Sequence, residues 1–215
     1  MPPYDALLNA FATYFVTIDP PGLAAISLGV TVGLTGAQRR SVALRASFIG
    51  LLILLAFTWF GAAILSVLGI TMPAFRVAGG LLLFYIAAEM VFAVREDRRG
   101  KAVSEGAVAA VTSKDLQAMA VFPLAVPLVA GPGAISATIL LSEQFNTWQD
   151  RIWLCAVLLL VGLILYISLI LADALDKFIG DSGRAVLTRL LGILLAALSV
   201  QFIADGARQL FAATG

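Results

Sequence analysis

Asp19 is the only charged residue in an apolar run from Ala6 to Val32. It opens the sequence Asp19-Pro20-Pro21-Gly22, with Thr17 two positions upstream. These types at this spacing suit ligand binding by a broken helix rather than bond-making chemistry. Asp is a good N-cap and Pro a good first helical residue, so a new helical segment can start at Pro20. Its N-terminal N–H groups and positive dipole end would face the break, as donors for an anion. The prolines bring no N–H, so carbonyls one turn earlier lose their helical donors and can accept from a cation. A second break, Ala130-Gly131-Pro132-Gly133, lies about half a chain further on and carries no carboxylate. Its glycines allow a ligand close to the backbone, and Ser136 follows within a turn. Two such breaks facing each other suit a small zwitterion. Asp19 is also a candidate for coupling to H+ by protonation, or to Na+ together with free carbonyls. A purely structural cap is the alternative role for Asp19, and an ordinary kink the alternative for each Pro-Gly break.

Enzyme chemistry is poorly supplied. The 215 residues contain no histidine and one cysteine, Cys155. That removes the commonest general base and metal ligand, and with a lone thiol there is neither an intramolecular disulfide nor a thiolate cluster. No enzyme activity, resident metal or cofactor is expected. There is no basic stripe with interleaved aromatics for nucleic acid.

The segments that must position these residues are membrane spans. Hydrophobic residues make up 61% of the chain, charged residues 13%, and the mean hydropathy is +1.01. A soluble domain carries roughly 25% charge. The fold class is an all-α polytopic membrane protein. Six spans are expected between charged or turn-rich boundaries: about 6–32, 45–68, 75–94, 116–141, 152–172 and 186–207, the first and fourth interrupted at the two breaks. A loop is expected over 173–183. The N-terminus lacks a basic region and a small-residue cleavage site, so the first apolar segment is expected to be retained.

The division is 1–94 as a first three-helix repeat, 95–115 as a hydrophilic linker and 116–215 as a second repeat. At an offset of 111, Pro21-Gly22 matches Pro132-Gly133; at 113, Arg76 matches Arg189 and Gly79 matches Gly192. Three spans per half make the second repeat inverted, the plan of transporters with paired broken helices at the midplane. Arg76 and Arg189 then begin the third span of each half, on opposite faces, as interfacial anchors or gates. Gln201, the amide within the sixth span, either bridges helices or faces the cavity. Eleven of the fourteen Lys and Arg fall on or beside the loops after spans one, three and five. This places the 95–115 loop in the cytoplasm and both termini outside.

The chain resembles the MarC family, six-span proteins also grouped as small neutral amino acid transporters. Asp19-Pro20-Pro21-Gly22 carries the resemblance, with Val77-Ala78-Gly79-Gly80 and Leu81 to Phe84, the run from Phe122 to Ile135, Arg189-Leu190-Leu191-Gly192, Gln201 and Asp205-Gly206. The resemblance implies a bacterial inner-membrane location, interrupted first and fourth helices, and transport of glycine- or alanine-like solutes. Leu23 and Ala25 stand where the family often has Asn and Pro. The leading expectation is a secondary transporter of small neutral amino acids, with export as a candidate direction, binding substrate or ion at Thr17, Asp19, Pro20, Pro21, Gly22, Ala130, Gly131, Pro132, Gly133, Ser136 and Gln201. A passive pore or a non-transporting scaffold are the alternatives. The expected partners are the lipid bilayer and a small-molecule amino acid.

Overall fold

A computed structural model describes residues 2–31, 34–92, 116–117 and 120–212. The expected linker, 95–115, lies outside the described residues, which contain no strand. The elements are α1 (Tyr4–Ile18), α2 (Pro20–Val30), α3 (Gly36–Val67), α4 (Met72–Val91), a π-helix (Ala120–Val129), α5 (Pro132–Gln144), α6 (Trp148–Ile170) and α7 (Ala172–Ala212).

Local chemistry sets the ends. Thr35 and Gln38 form a reciprocal capping box at the start of α3. Thr71 and Thr147 cap α4 and α6 by accepting from the N–H groups of Ala74 and Asp150. Gly69, at φ 68°, ends α3 in a Schellman turn: its N–H reaches the Ser66 carbonyl and that of Ile70 reaches Leu65.

Among the described residues, four helical stretches are long and apolar enough to cross a membrane: Gly36–Val67, Met72–Val91, Trp148–Ile170 and Ala185–Ala212. The segments expected as spans one and four are instead pairs of short pieces. At ~1.5 Å per residue, none of α1, α2, the π-helix or α5 reaches the ~30 Å of a hydrocarbon core alone. Of the short pieces, α5 lies deepest. Nearly every residue of α5 from Gly133 to Ser142 is buried. The long helices instead expose large apolar side chains, among them Phe48, Leu52, Phe60, Leu81, Leu159, Leu163 and Leu194. Such exposure suits a lipid surface and would be a liability in water.

Packing runs between the halves of the chain. The most extensive contact is α4 on α7; α3 packs on α6, the π-helix and α5, and α2 packs on α6 and α7. The largest buried cluster mixes both halves, with Tyr14, Ile18, Leu23 and Leu54 against Val129, Ala134, Leu141 and Leu158. Glycines permit the closest approaches. A Cβ on Gly80 would meet the Ser199 carbonyl oxygen at 3.0 Å, and one on Gly192 would meet that of Ala87 at 3.1 Å.

The loop expected over 173–183 is a correction. Helix continues from Ala172, leaves helical geometry only at Gly180 (φ 65°, ψ 172°) and resumes to Ala212. Residues 172–179 contain neither Gly nor Pro, so charge alone does not stop the helix.

Candidate functional site at the two helix breaks

Asp19 ends α1 and begins α2. It is the only non-glycine residue with positive φ among the described residues, at φ 56°, ψ 63°, a left-handed conformation that Asp tolerates better than most. Its N–H donates to the Phe15 carbonyl at 3.0 Å, closing α1. Its carboxylate Oδ1 accepts from the Gly22 N–H at 3.2 Å. Its carbonyl accepts from the Leu23 N–H at 2.9 Å, opening α2. The side chain is buried, at 1% exposure. Gly22 makes room for it: a Cβ there would come within 2.7 Å of Asp19 Cγ.

The hydrogen-bond accounting gives this break one polarity. Pro20 and Pro21 have no N–H for the Val16 and Thr17 carbonyls, and the Gly22 N–H goes to Asp19 rather than to Ile18. Three carbonyls at the end of α1 thus lack their helical donors. The Thr17 hydroxyl donates to the Thr13 carbonyl at 2.7 Å, so it too has only lone pairs to offer. The expectation of anion donors here is therefore corrected. The first three positions of α2 are two prolines and a glycine whose N–H Asp19 already holds. The break presents acceptors and a carboxylate.

The second break has the opposite polarity. Pro123 and Pro127 deny the preceding segment two N–H groups, and it winds as a π-helix that closes with the Ala130 N–H on the Ala125 carbonyl, five residues back, at 2.9 Å. Gly131 is extended (φ −80°, ψ 168°), and no side chain caps α5. The α5 ladder starts with the Ile135 N–H on the Gly131 carbonyl, 2.9 Å. The N–H groups of Gly133 and Ala134, in the first turn, have no helical acceptor. Ala130, Gly131, Gly133 and Ala134 are all buried, while Pro132 is exposed. This break presents donors at the positive end of a 13-residue helix.

Ile18 and Leu23, flanking the first break, share one buried cluster with Val129, Ala130 and Ala134 of the second. Ser136 is buried on α5, where the bare Gly79 of α4 sits close: a Cβ there would lie 3.2 Å from Ser136 Cβ. Leu23, at the position where the resemblance led to Asn, is 1% exposed and packs in this cluster.

Other expected residues are not brought in. Gln201 is exposed on α7, and its Nε2 donates along the same helix to Asp205 Oδ1 at 2.9 Å. One amide in an apolar helix does not by itself reveal which face it occupies. Arg189 is likewise exposed on α7. Arg76 forms an ion pair with Glu143 of α5, whose role composition did not reveal.

Sequence reading also missed a buried polar seam. The Tyr14 hydroxyl lies beside those of Thr58 on α3 and Thr138 on α5. Both threonines donate to their own helices, to the Leu54 carbonyl at 2.9 Å and the Ala134 carbonyl at 2.7 Å. No three His, Cys, Asp or Glu residues converge on a metal position among the described residues.

The model of the MarC family of integral membrane proteins matches residues 4–211. The chain belongs to the MarC family. It is 30% identical to a UPF0056 membrane protein of Buchnera aphidicola subsp. Schizaphis graminum, over 98% of this chain and 95% of that one. A UPF0056 membrane protein of Methanocaldococcus jannaschii is 34% identical over 93% and 94% of the two chains. The UPF0056 membrane protein YhcE of Escherichia coli is 32% identical over 97% and 94%. No solved structure matches. This MarC-family chain is an integral, multi-pass membrane protein, and residues flanking its two helix breaks belong to one buried cluster.

Proposed function

We propose that the protein is a secondary transporter of small neutral amino acids of the glycine and alanine class, with its site between the two breaks. One observation carries this reading: the opposite polarity of the breaks. An ammonium is matched by the carbonyls of Val16, Thr17 and Ile18 together with Asp19. A carboxylate is matched by the N–H groups of Gly133 and Ala134. The side chains beside the breaks, Ile18, Leu23, Val129 and Ala130, are apolar, which favours a solute with a small apolar side chain. When the solute is absent, Asp19 takes H+ or Na+ in this reading, and the gradient of that ion drives flux. The first and fourth spans are then interrupted at mid-membrane, with the 95–115 loop cytoplasmic, both termini outside and the chain in the bacterial inner membrane.

The contact pattern supports a two-fold inverted plan. Gly80 of α4 seats on Ser199 and Ile203 of α7, and Gly192 of α7 seats on Ala87 and Met90 of α4. Met90 and Ile203 are separated by the same 113 positions as Gly79 and Gly192. Because the halves share a core, access changes most cheaply by shifting the central broken pieces within the frame of four long helices.

Flux in proteoliposomes tests the proposal. Labelled glycine and alanine should enter saturably and respond to an imposed H+ or Na+ gradient. Linear flux without gradient-driven accumulation would assign a pore instead. No flux across a panel of neutral amino acids would leave a scaffold role.

A further inference from the structure

Trp59, Trp148 and Trp153 are the tryptophans of the chain, and all of them stand near one end of the α3–α6 pair, away from the breaks. Trp148 opens α6, Trp153 follows in its second turn, and Trp59 sits about two turns before the end of α3. The Trp59 and Trp148 rings are 6.2 Å apart. α6 has 23 residues, about 35 Å at ~1.5 Å each, so on crossing a ~30 Å hydrocarbon core it keeps its first turn at the boundary with the headgroups. Indole rings favour that depth, with an apolar body and one polar N–H.

Arg151 completes the cluster. Its guanidinium carbon lies 5.9 Å from the centroid of the Trp59 ring, and the Cys155 thiol, one turn along α6, lies beside the Trp59 indole. Trp59 is thus held from α6 at two points. A ring face attracts a cation but accepts no conventional hydrogen bond, so the N–H donors of the guanidinium are left over. Its Nε is buried and meets no acceptor. The carboxylates of this end have other partners: Asp150 Oδ2 accepts from the Thr147 hydroxyl at 2.7 Å, and Glu143 pairs with Arg76. Among the described residues Arg151 is in no ion pair. The rings beside it are open, Trp148 at 67% exposure and Trp59 at 38%.

We infer that Arg151, Trp59 and Trp148 form a binding site for the phosphate of an anionic phospholipid. The phosphate oxygens accept from the guanidinium, a charge-assisted contact for which arginine is well shaped, and the glycerol and first methylenes lie along the two rings. A lipid such as phosphatidylglycerol fits better than phosphatidylcholine, whose own ammonium offsets its phosphate. The inference does not rest on the transport reading.

Tryptophan fluorescence reads this site alone, because the chain has no tryptophan elsewhere, and Trp153→Phe removes the ring outside it. The full chain with that substitution is reconstituted in phosphatidylcholine vesicles. An equal fraction of phosphatidylglycerol or of phosphatidylcholine is brominated high on its acyl chain, to quench on contact. Brominated phosphatidylglycerol should bind about fivefold more strongly than brominated phosphatidylcholine, the worth of one Arg toward an anionic lipid. Arg151→Gln should bring that ratio to about one, Arg151→Lys should keep part of it, and Arg208→Gln should leave it unchanged. Equal quenching by the two lipids before any change at Arg151 overturns the inference, as does a preference that survives Arg151→Gln. Salt supplies a check that needs no change at the site: the preference should shrink as NaCl screens the pair, and indifference to salt would also overturn it. Inorganic phosphate at constant ionic strength should have no effect; loss of the preference would reassign the position to a free anion and overturn the lipid assignment.

Discussion

Arg76 of α4 and Glu143 of α5, 67 positions apart in sequence, form an ion pair at the end of the molecule where α3 turns into α4. The Arg76 side chain is 13% exposed and that of Glu143 35%. Near the same end, Arg151 stacks over Trp59, which also packs against Trp148 at 6.2 Å. These contacts tie α5, the helix that carries the second break, to the outer frame.

Glu143→Gln leaves the mostly buried Arg76 cation without its countercharge. The pair lies between the exposed and fully buried cases, so the expected loss is about 1–3 kcal/mol. A lower unfolding midpoint in detergent checks this. Exchanging the charges, Arg76→Glu with Glu143→Arg, should recover part of the loss; no recovery would mean that packing alone holds this end.

Asp19→Asn keeps an acceptor for the Gly22 N–H and a side chain that tolerates the left-handed backbone. The unfolding midpoint should barely move, whereas the response of flux to imposed H+ and Na+ gradients should disappear. Asp19→Ala should in addition destabilise, by ~1 kcal/mol for the lost cap and ~1–2 kcal/mol for left-handed geometry without Asp or Asn. Unchanged gradient dependence in Asp19→Asn would reduce the carboxylate to a cap.

Gly22→Ala sets a methyl group against the Asp19 carboxyl, 2.7 Å from its Cγ. The carboxylate must turn away and the Gly22 N–H loses its acceptor. Helix content by circular dichroism should persist while substrate affinity falls, since α2 is still opened by the Leu23 N–H on the Asp19 carbonyl. Wild-type affinity in this variant would show that the position of the carboxylate is immaterial.

Gly80→Ala acts on the frame. Its Cβ would stand 2.7 Å from Ile203 Cγ1 and 3.0 Å from the Ser199 carbonyl oxygen. The backbone atom cannot rotate aside, so α4 and α7 must separate slightly, at about 1–3 kcal/mol for overpacking. Thermal unfolding measures this, with Gly36→Ala as the control, because nothing lies within 4 Å of a Cβ at Gly36.

Gln201→Leu removes one exposed side-chain bond to Asp205 along α7. That costs roughly 0.2–0.5 kcal/mol. Flux should be unchanged; a large fall would bring Gln201 back to the transport path.

Composition and the Asp-Pro-Pro-Gly and Gly-Pro-Gly stretches determined the membrane class and the points where helix must stop. Those conclusions need only local facts: an apolar chain without water must pair its own backbone, and proline has no N–H to pair. Which polarity each break would present was not local in the same way. It followed from the bond between Asp19 Oδ1 and the Gly22 N–H, and from the lack of any side chain capping α5. The π winding of 120–129 and the helix through 172–179 also escaped a reading by span boundaries, because proline spacing and isolated charges are compatible with several windings. Sidedness was decided by tertiary packing alone. In helices apolar on every face, periodicity carries no signal for inside against outside. Only the packed structure turns Gln201 outward, pairs Arg76 with Glu143, and puts residues flanking two breaks, 111 positions apart in sequence, into one cluster.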